Sequence, residues 1–420
     1  MPKRILMLGT FDSKGPEYAF LRERLLSHGC EVLAVNAGVF GSTDLFPIDV
    51  EAGEVARNGG EALMALRDQQ DRGKAMEIMS RGAMWLVRDL FDAGKFDAII
   101  GMGGSGGTGI VTTAMRNLPL GVPKLCVSTL ASGNTAPYVG TKDIILMPSI
   151  ADVAGINRIS RQVLTQAAAA ICGMIQAVVP TPETEKPLIA ASMFGNTTKC
   201  VDACRQALNE SGYEVLVFHA TGTGGRILES LADAEMVDAV LDITTTEWAD
   251  ELCGGVLSAG SERLDAPGRR GLPHVIVPGC IDMCNFSGMA NVPERYREAG
   301  RQFYEWTSTV TLMRTTAAEN ARMGQIFAEK ANAAKGPVAF VFPLRGVSML
   351  DADEGLFCDR AADQAFFDAV KATARPDIPI IEVDANINDS AFSAKCVEVL
   401  LELIACQRTE ASTQPSPGAE

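Results

Sequence analysis

The chain has 420 residues, a length that predicts two or three domains. Its 37 Lys and Arg residues against 52 Asp and Glu residues give a formal charge of −15, which argues against a nucleic-acid or anionic-membrane partner. The 11 cysteines are an odd number scattered along a long chain, unlike a secreted disulfide framework. Because no apolar run approaches the roughly 18 residues that span a bilayer, and the N-terminus lacks a signal-peptide pattern, we expect a cytoplasmic protein.

Short runs rich in Ile, Val and Leu alternate with helical patterns in the first part of the chain, as in parallel α/β folds. The predicted strands are Arg4–Leu8, Glu31–Val35, Ala98–Gly101, Lys124–Val127 and Ile144–Met147. The predicted helices are Pro16–Ser27, Met76–Asp92, Gly107–Arg116 and Asn157–Gln176. The segment Val178–Pro187, with three prolines among polar residues, is typical of an interdomain linker.

The same alternation then restarts and continues almost to the end of the chain. The predicted strands are Leu188–Ser192, Glu214–Phe218, Ala239–Ile243, His274–Val277, Val338–Phe342 and Ile380–Val383. The predicted helices are Thr198–Ser211, Arg226–Ala232, Thr315–Ala334, Ala361–Ala374 and Ser390–Cys406. Residues 407–420 offer no apolar face to bury, so we predict a disordered tail there.

The restart is also a weak repeat, because residues such as Phe11, Gly29 and Ala37 recur 183 positions later. The fold prediction is therefore α/β, with two Rossmann-like, doubly wound domains whose mostly parallel sheets face each other across a cleft. Their predicted ranges are residues 1–179 and 188–406. Folds of this type bind ligands at the carboxyl ends of their strands.

A glycine-rich segment, Ile99–Gly109, follows an apolar strand and opens a helix. Its six glycines leave backbone N–H groups uncovered, and the helix N-terminus behind them adds partial positive charge. The segment contains no GxxxxGK[ST] motif, and the alternative is a tight strand–helix turn that binds nothing. The predicted phosphate-binding residues here are Gly103, Gly104, Ser105, Gly106, Gly107 and Thr108.

Two further strand ends in the first half exchange apolar residues for hydroxyls and charges, as ligand-binding βα loops do. They follow the first and the fourth predicted strands, and their predicted nucleotide-binding residues are Thr10, Asp12, Lys14, Ser128, Thr129, Ser132 and Gly133. For Asp12 the alternative is a helix N-cap, and for Lys14 it is a solvated side chain.

Polar residues also follow the strands of the second half. Gly222–Arg226 is a second candidate anion loop. Asp242 and Glu247 are candidates for magnesium binding or acid–base chemistry, against the alternative of helix capping. Asp282 is a candidate polar pocket group. Arg345 suits carboxylate or phosphate capture, against the alternative of an interdomain ion pair. As groups at a strand-end rim, these candidate catalytic residues are expected to contribute little to stability.

Taken in order, these loops resemble the Tm-1-like ATP-binding domain family, which comprises the ATP-binding domain of a plant tobamovirus-resistance protein and its bacterial and fungal relatives. The resemblance covers about residues 1–406. The matching segments are GTFDSKGPE, GMGGSGGTG, STLASGNTAPYVG, HATGTGGR, DITTTEWADELCGG, PGCIDMCNF and PLRGVS. It implies two Rossmann-like subdomains, ATP bound in the N-terminal one, and self-association into a homo-oligomer.

Two functions follow as hypotheses. The first is an enzyme that uses ATP and Mg²⁺ to act on a small anionic metabolite in the cleft. The second is a binding or regulatory module that uses ATP without turnover. An NAD-dependent oxidoreductase ranks lower, because the glycine cluster follows the third strand and no acidic residue stands at the expected ribose-binding distance.

Overall fold

The computed structural model describes residues 2–180 and 184–413, with side chains up to residue 409. The described residues form two compact units, one on each side of residues 181–183. Both units are α/β with a largely parallel sheet, which confirms the predicted fold class. We call them unit 1 and unit 2.

Unit 1 is built on a five-stranded parallel sheet in the order β2-β1-β3-β4-β5. Its strands are β1 (Arg4–Gly9), β2 (Glu31–Asn36), β3 (Ala98–Gly103), β4 (Lys124–Ser128) and β5 (Ile145–Pro148). Each contains residues of a predicted strand, since buried parallel strands are short, continuous apolar runs.

Helices cover both faces of this sheet, with α4 and α5 packed on one face and α1 and α7 on the other. The helices are α1 (Phe11–Ser27), α2 (Ala52–Asn58), α3 (Leu63–Gln69), α4 (Arg72–Asp92), α5 (Ser105–Arg116), α6 (Ala136–Val139) and α7 (Arg158–Gln176). The sequence did not predict α2, α3 or α6. Helix α1 begins before the predicted Pro16 because a separate first turn precedes the non-helical Lys14.

A buried tyrosine fixes the spacing of β1 and β3. The hydroxyl oxygen of Tyr18 lies 2.8 Å from the carbonyl oxygens of Leu8 and Met102, and it accepts the Met102 N–H at 2.8 Å. Gly9 leaves room for the ring, since a Cβ there would lie 2.0 Å from it. Burial raises the pKa of Tyr18 far above its usual value, so the hydroxyl stays protonated and holds the two strand ends together.

Unit 2 has a six-stranded parallel sheet in the order β14-β13-β9-β8-β6-β7 and a three-stranded antiparallel sheet in the order β10-β12-β11. The strands are β6 (Leu188–Met193), β7 (Glu214–His219), β8 (Ala239–Thr244), β9 (His274–Gly279), β10 (Met283–Phe286), β11 (Phe303–Thr307), β12 (Val310–Arg314), β13 (Val338–Pro343) and β14 (Ile380–Val383). The six parallel strands were predicted, and the small antiparallel sheet was not.

In unit 2, α8 and α15 pack on one face of the parallel sheet and α13 and α14 on the other. The helices are α8 (Thr198–Glu210), α9 (Thr223–Asp233), α10 (Glu247–Cys253), α11 (Ala266–Arg270), α12 (Glu294–Glu298), α13 (Ala317–Asn332), α14 (Arg360–Thr373) and α15 (Ser390–Thr413). Helix α15 enters the predicted disordered tail, because no Gly or Pro interrupts residues 407–413. Residues 414–420 of that predicted tail lie outside the described residues. No helix among the described residues is long and apolar enough to cross a membrane.

Candidate functional site

The strand order of unit 1 reverses between β1 and β3, so the loops that follow these strands lead to opposite faces of the sheet. A cavity of about 440 Å³ opens at this point. Three chain segments supply most of its lining: Thr10–Lys14 after β1, Gly103–Gly107 after β3, and part of the stretch from residue 37 to residue 76, while Ile110 and Asp152 complete it. The structure therefore brings together two of the three predicted nucleotide-binding loops.

The glycines of the loop after β3 serve two different purposes. A Cβ on Gly103 would lie 2.8 Å from the Gly107 Cα, so this glycine lets the strand and helix approach closely. Gly104 is different, because a Cβ there would have only the Thr129 hydroxyl oxygen nearby, at 3.9 Å. Gly104 is the N-cap of α5, and no described side chain caps this terminus. The first N–H groups of α5 are thus available to an anion in the cavity.

Thr108 and Ser128 support the loops from behind. Both are buried, and their hydroxyl oxygens lie 2.7 Å apart. The Thr108 hydroxyl also lies 3.1 Å from the Gly103 carbonyl oxygen, and Ser128 accepts the Leu130 N–H at 3.0 Å. These contacts tie the loop after β3 to the loop after β4, and Thr108 does not line the cavity.

Three of the four predicted residues at the end of β4 and in the loop after it lie at a second cavity of about 390 Å³. Ser128, Thr129 and Ser132 line this cavity, and Asp152 lines both cavities. Gly133 lines neither of them, and its N–H donates to the Leu130 carbonyl at 3.0 Å. Apart from Thr108 and Gly133, the predicted nucleotide-binding residues are therefore divided between two neighbouring cavities that share the Asp152 carboxylate.

The charged residues at the first cavity are of both signs. Asp12 accepts the Phe40 N–H at 2.9 Å, so it joins the loops after β1 and β2 and is not the N-cap of α1. The Lys14 ammonium donates a hydrogen bond to the Val153 carbonyl oxygen. Asp71, which caps α4, and Arg72 also line the cavity, together with Asp152. The lining thus carries carboxylates as well as cations.

Sequence reasoning missed the residues that complete this cavity. Asn36, fully buried at the end of β2, accepts the N–H groups of Phe11 at 3.2 Å and Gly38 at 2.9 Å and so positions both neighbouring loops. It is a polar residue at a strand's carboxyl end, the same signal that identified the loop after β1. The stretch after β2 also supplies an apolar wall, which consists of Ala37, Val39, Phe40, Leu66, Ala75 and Met76.

In unit 2, a carboxylate of the protein itself occupies a position at the carboxyl ends of the parallel strands. The Glu247 carboxylate accepts the N–H groups of Gly222 at 2.7 Å and Gly225 at 3.0 Å, at the N-terminus of α9. A Cβ on Gly225 would lie 2.1 Å from this carboxylate. The predicted second anion loop, Gly222–Arg226, is therefore filled by a carboxylate of the protein itself.

The same carboxylate belongs to a buried cluster around Arg263, which is 1% exposed. This guanidinium donates to Glu247 at 2.8 Å, to Asp242 at 2.9 Å and to Glu229 at 3.0 Å. His274 contacts Asp242 at 2.9 Å. Burial alone would raise the pKa of Asp242, but Arg263 and then His274 hold it below its usual value.

Asp242 and Glu247 are thus close together, as predicted, but they surround a guanidinium instead of lining an open rim. Asp282 lies in a second buried cluster, where it accepts the Ser348 hydroxyl at 2.8 Å near Arg314 and Asp351. Arg345 is exposed and donates to Asp384 at 2.7 Å. Its partner belongs to unit 2, so this contact is not the interdomain ion pair considered above.

Within residues 2–180 and 184–413, no group of three or more His, Cys, Asp or Glu side chains is arranged to hold a metal ion.

Each half of the chain matches one domain of a single protein family. Residues 3–180 match the N-terminal domain of the Uncharacterised protein family (UPF0261), and residues 186–404 match its C-terminal domain. The chain belongs to the UPF0261 family.

Individual relatives agree with this assignment and with the resemblance seen in the loops. The UPF0261 protein of Clostridium tetani is 44% identical over 96% of this chain and 100% of its own length. UPF0261 protein mlr3387 of Mesorhizobium japonicum is 46% identical over 96% of this chain and 99% of its own length. The ToMV resistance protein Tm-1(GCR237) of Solanum lycopersicum is 34% identical over 98% of this chain, which spans 58% of the tomato protein. The predicted membership of the Tm-1-like family is confirmed.

The burial of Asp242 reverses the expectation that it contributes little to stability. Asp242→Asn leaves the Arg263 guanidinium short of a buried partner, so we expect the free energy of unfolding to fall by about 3–5 kcal/mol. Arg345→Ala is the matched comparison, because it removes an exposed ion pair and should hardly change stability. Chemical denaturation of both variants measures the difference, and equal stability of the two would contradict the role of the Arg263 cluster.

Buried carboxyls give unit 2 an unusual pH dependence. Burial raises the pKa of Asp250 to about 7 and that of Asp282 to about 6. Burial, followed by the neighbouring carboxylates Asp282 and Asp363, raises the pKa of Asp351 to about 8. In the unfolded chain these groups titrate near pH 4. The folded state therefore binds more protons between about pH 4 and 8, and the free energy of unfolding should fall as the pH rises through this window.

Denaturant unfolding at several pH values from about 5 to 8 measures this slope, which approaches about 1.4 kcal/mol per pH unit for each such carboxyl. Asp282→Asn keeps the side-chain shape, removes one titration and should flatten the slope. Stability that rises with pH across the window in the wild type would contradict the prediction.

Proposed function

We propose that unit 1 binds ATP together with Mg²⁺ in the cavity at the β1–β3 switch point. The observation that carries the proposal is the uncapped N-terminus of α5, which opens into a cavity of about 440 Å³. That volume lies within the range of ligand pockets, and helix N-termini bind phosphate groups. The resemblance to the Tm-1-like family, which implies ATP binding, supports the same conclusion.

The chemistry of the cavity suits both ends of a nucleotide. The phosphates would lie against Gly104–Gly107, with Lys14 and Arg72 as the nearby cations. The apolar wall after β2 suits a base, and Phe40 is 76% exposed and free to stack. Asp12 and Asp152 would repel a bare polyphosphate, but they suit Mg²⁺, which takes one or two carboxylates together with phosphate oxygens.

Two candidate functions would use the nucleotide differently. The first is an enzyme that consumes ATP while it modifies a small anionic metabolite held by unit 2. Arg345 is exposed and remains its candidate residue, whereas Asp282 is as fully buried as Asp242. The second candidate is a binding or regulatory module without turnover, and one observation favours it. Asp242 and Glu247, the carboxylates proposed for catalysis, are buried and already paired with Arg263. In either case we propose a cytoplasmic homo-oligomer.

Gly104→Val tests the nucleotide site. The backbone at Gly104 is extended, with φ −75° and ψ −161°, and the Cβ position is open, so the fold should tolerate valine. The branched side chain would stand at the α5 N-terminus, and we expect ATP affinity to fall by about 100-fold or more, comparable to losing several hydrogen bonds. Calorimetry with ATP and Mg²⁺ measures the change.

Gly109→Ala is the matched control. A Cβ on Gly109 has open space around it and lies inside α5, so alanine should leave ATP affinity unchanged and raise stability slightly. Wild-type affinity in Gly104→Val, with the fold intact by circular dichroism, would refute the site.

Phosphate release separates the two candidate functions. We expect an enzyme to consume ATP with at least one member of a panel of small carboxylates and phosphate esters, and to lose that activity in Gly104→Val. For an enzyme that captures its substrate through Arg345, the Arg345→Ala variant should raise KM without weakening ATP binding. ATP binding without consumption under any condition of the panel would favour the regulatory module.

A further inference from the structure

We propose that unit 2 contains a second ligand site, which binds a small carboxylate bearing a neighbouring hydroxyl or amino group. The site is a cavity of about 440 Å³ formed by residues of unit 2 alone. Three loops line it at the carboxyl edge of the parallel sheet: Gly195–Lys199 after β6, Met349–Ala352 after β13, and Asn386–Asp389 after β14. This inference is independent of the nucleotide site in unit 1.

The anion-binding end of the cavity is the start of α8. This helix has 13 residues, and its N-cap residue Thr197 makes no capping hydrogen bond, while the Asn388 side-chain oxygen accepts the N–H of the third residue, Cys200, at 3.4 Å. Thr198 and Lys199, its first two residues, line the cavity, and Lys199 is exposed. An ammonium next to a helix N-terminus attracts a carboxylate by charge and by N–H donation together.

A buried acceptor supplies the second half of the recognition. Asn196 lines the cavity, is 4% exposed, and has no described hydrogen-bond partner for its side-chain oxygen. Its amide nitrogen makes only a 3.4 Å contact to the Met283 sulfur. Buried polar groups are rarely left without a partner, and an unpaired one marks a place where a ligand or water binds. The missing partner is a donor, which a hydroxyl or an amino group supplies.

The other polar residues of the cavity are used to build its walls. The Asn386 side chain donates to the carbonyls of Arg345 at 3.1 Å and Ser348 at 3.2 Å. Asn388 donates to the Asn196 carbonyl at 2.9 Å, and Asp389 accepts the Asn386 N–H at 2.8 Å. These bonds join the loops after β6, β13 and β14 into one preorganised frame.

One positive end and one buried acceptor define the ligand. A carboxylate pairs with the Lys199 ammonium beside the first turn of α8, while a donor on the neighbouring carbon satisfies the Asn196 side-chain oxygen. Both 2-hydroxy acids and amino acids have this pattern. Acetate has only the anionic half of it, and inorganic phosphate lacks the carbon frame that separates anion and donor.

Methyl NMR of methionine provides a local reporter, because Met349 lines the cavity and is 48% exposed. The protein without nucleotide is titrated with glycolate, glycine, acetate and phosphate, and Met349→Leu identifies the reporter signal. We expect glycolate or glycine to shift this signal saturably, with acetate at least about fivefold weaker because it lacks one hydrogen bond. Preference for glycolate assigns a hydroxy acid, and preference for glycine assigns an amino acid.

Two variants test the assigned contacts. Lys199→Met should weaken binding by about tenfold or more, whereas Lys335→Met, another exposed lysine of unit 2 outside the cavity, should not. Asn196→Leu should abolish the preference over acetate; if that variant does not fold, Lys199→Met alone decides. The proposal is overturned if no probe shifts the Met349 signal up to about 50 mM, if phosphate binds as well as glycolate and glycine, or if Lys199→Met binds like the wild type.

Discussion

When the connections of two neighbouring parallel strands leave toward opposite faces of the sheet, a crevice remains between the carboxyl ends of these strands. This constraint applies in both units, because β1 and β3 occupy the same sheet positions as β6 and β8. The units meet it in opposite ways. In unit 1 the helix terminus at this edge is uncapped and faces a cavity. In unit 2, Glu247 begins the helix after β8 and binds the N-terminus of α9, the helix after β7, and Arg263 balances its charge.

Placing charged side chains in that crevice costs desolvation free energy, and the arrangement is stable only when every charged group is paired. Desolvation of each buried ion costs several kcal/mol, and the cost is offset only by good geometry and additional hydrogen bonds. Arg263 meets this condition, because its three nitrogens contact three different carboxylates. The cluster joins α9, β8 and α10 through one guanidinium, and it fixes how these elements pack. The cluster thus has a structural role that an isolated surface ion pair could not have.

The sequence predicted the sheets and long helices well, because buried parallel strands are apolar runs and long helices repeat every 3.6 residues. It missed α2 and α3, which have seven residues each, since so short a helix shows no clear period. The loop that contains Gly104 was recognisable because six glycines among the eleven residues 99–109 stand out between a strand and a helix. The pairing of Asp242 was not recognisable, because Arg263 lies 21 positions away on an irregular segment. A carboxylate's sequence position does not reveal whether a guanidinium will reach it.

The uncapped first turn of α5 would also link the stability of unit 1 to the anion that we propose binds there. Without a capping side chain, the N–H groups of this turn depend on water in the free protein, and they should exchange their hydrogens quickly. An anion bound there performs the task of the missing cap. Ligand present at about 100 times its Kd would then add about 2.7 kcal/mol to the free energy of unfolding. The concentration of that ligand in the cell would therefore set the stability of the folded unit as well as the occupancy of the site.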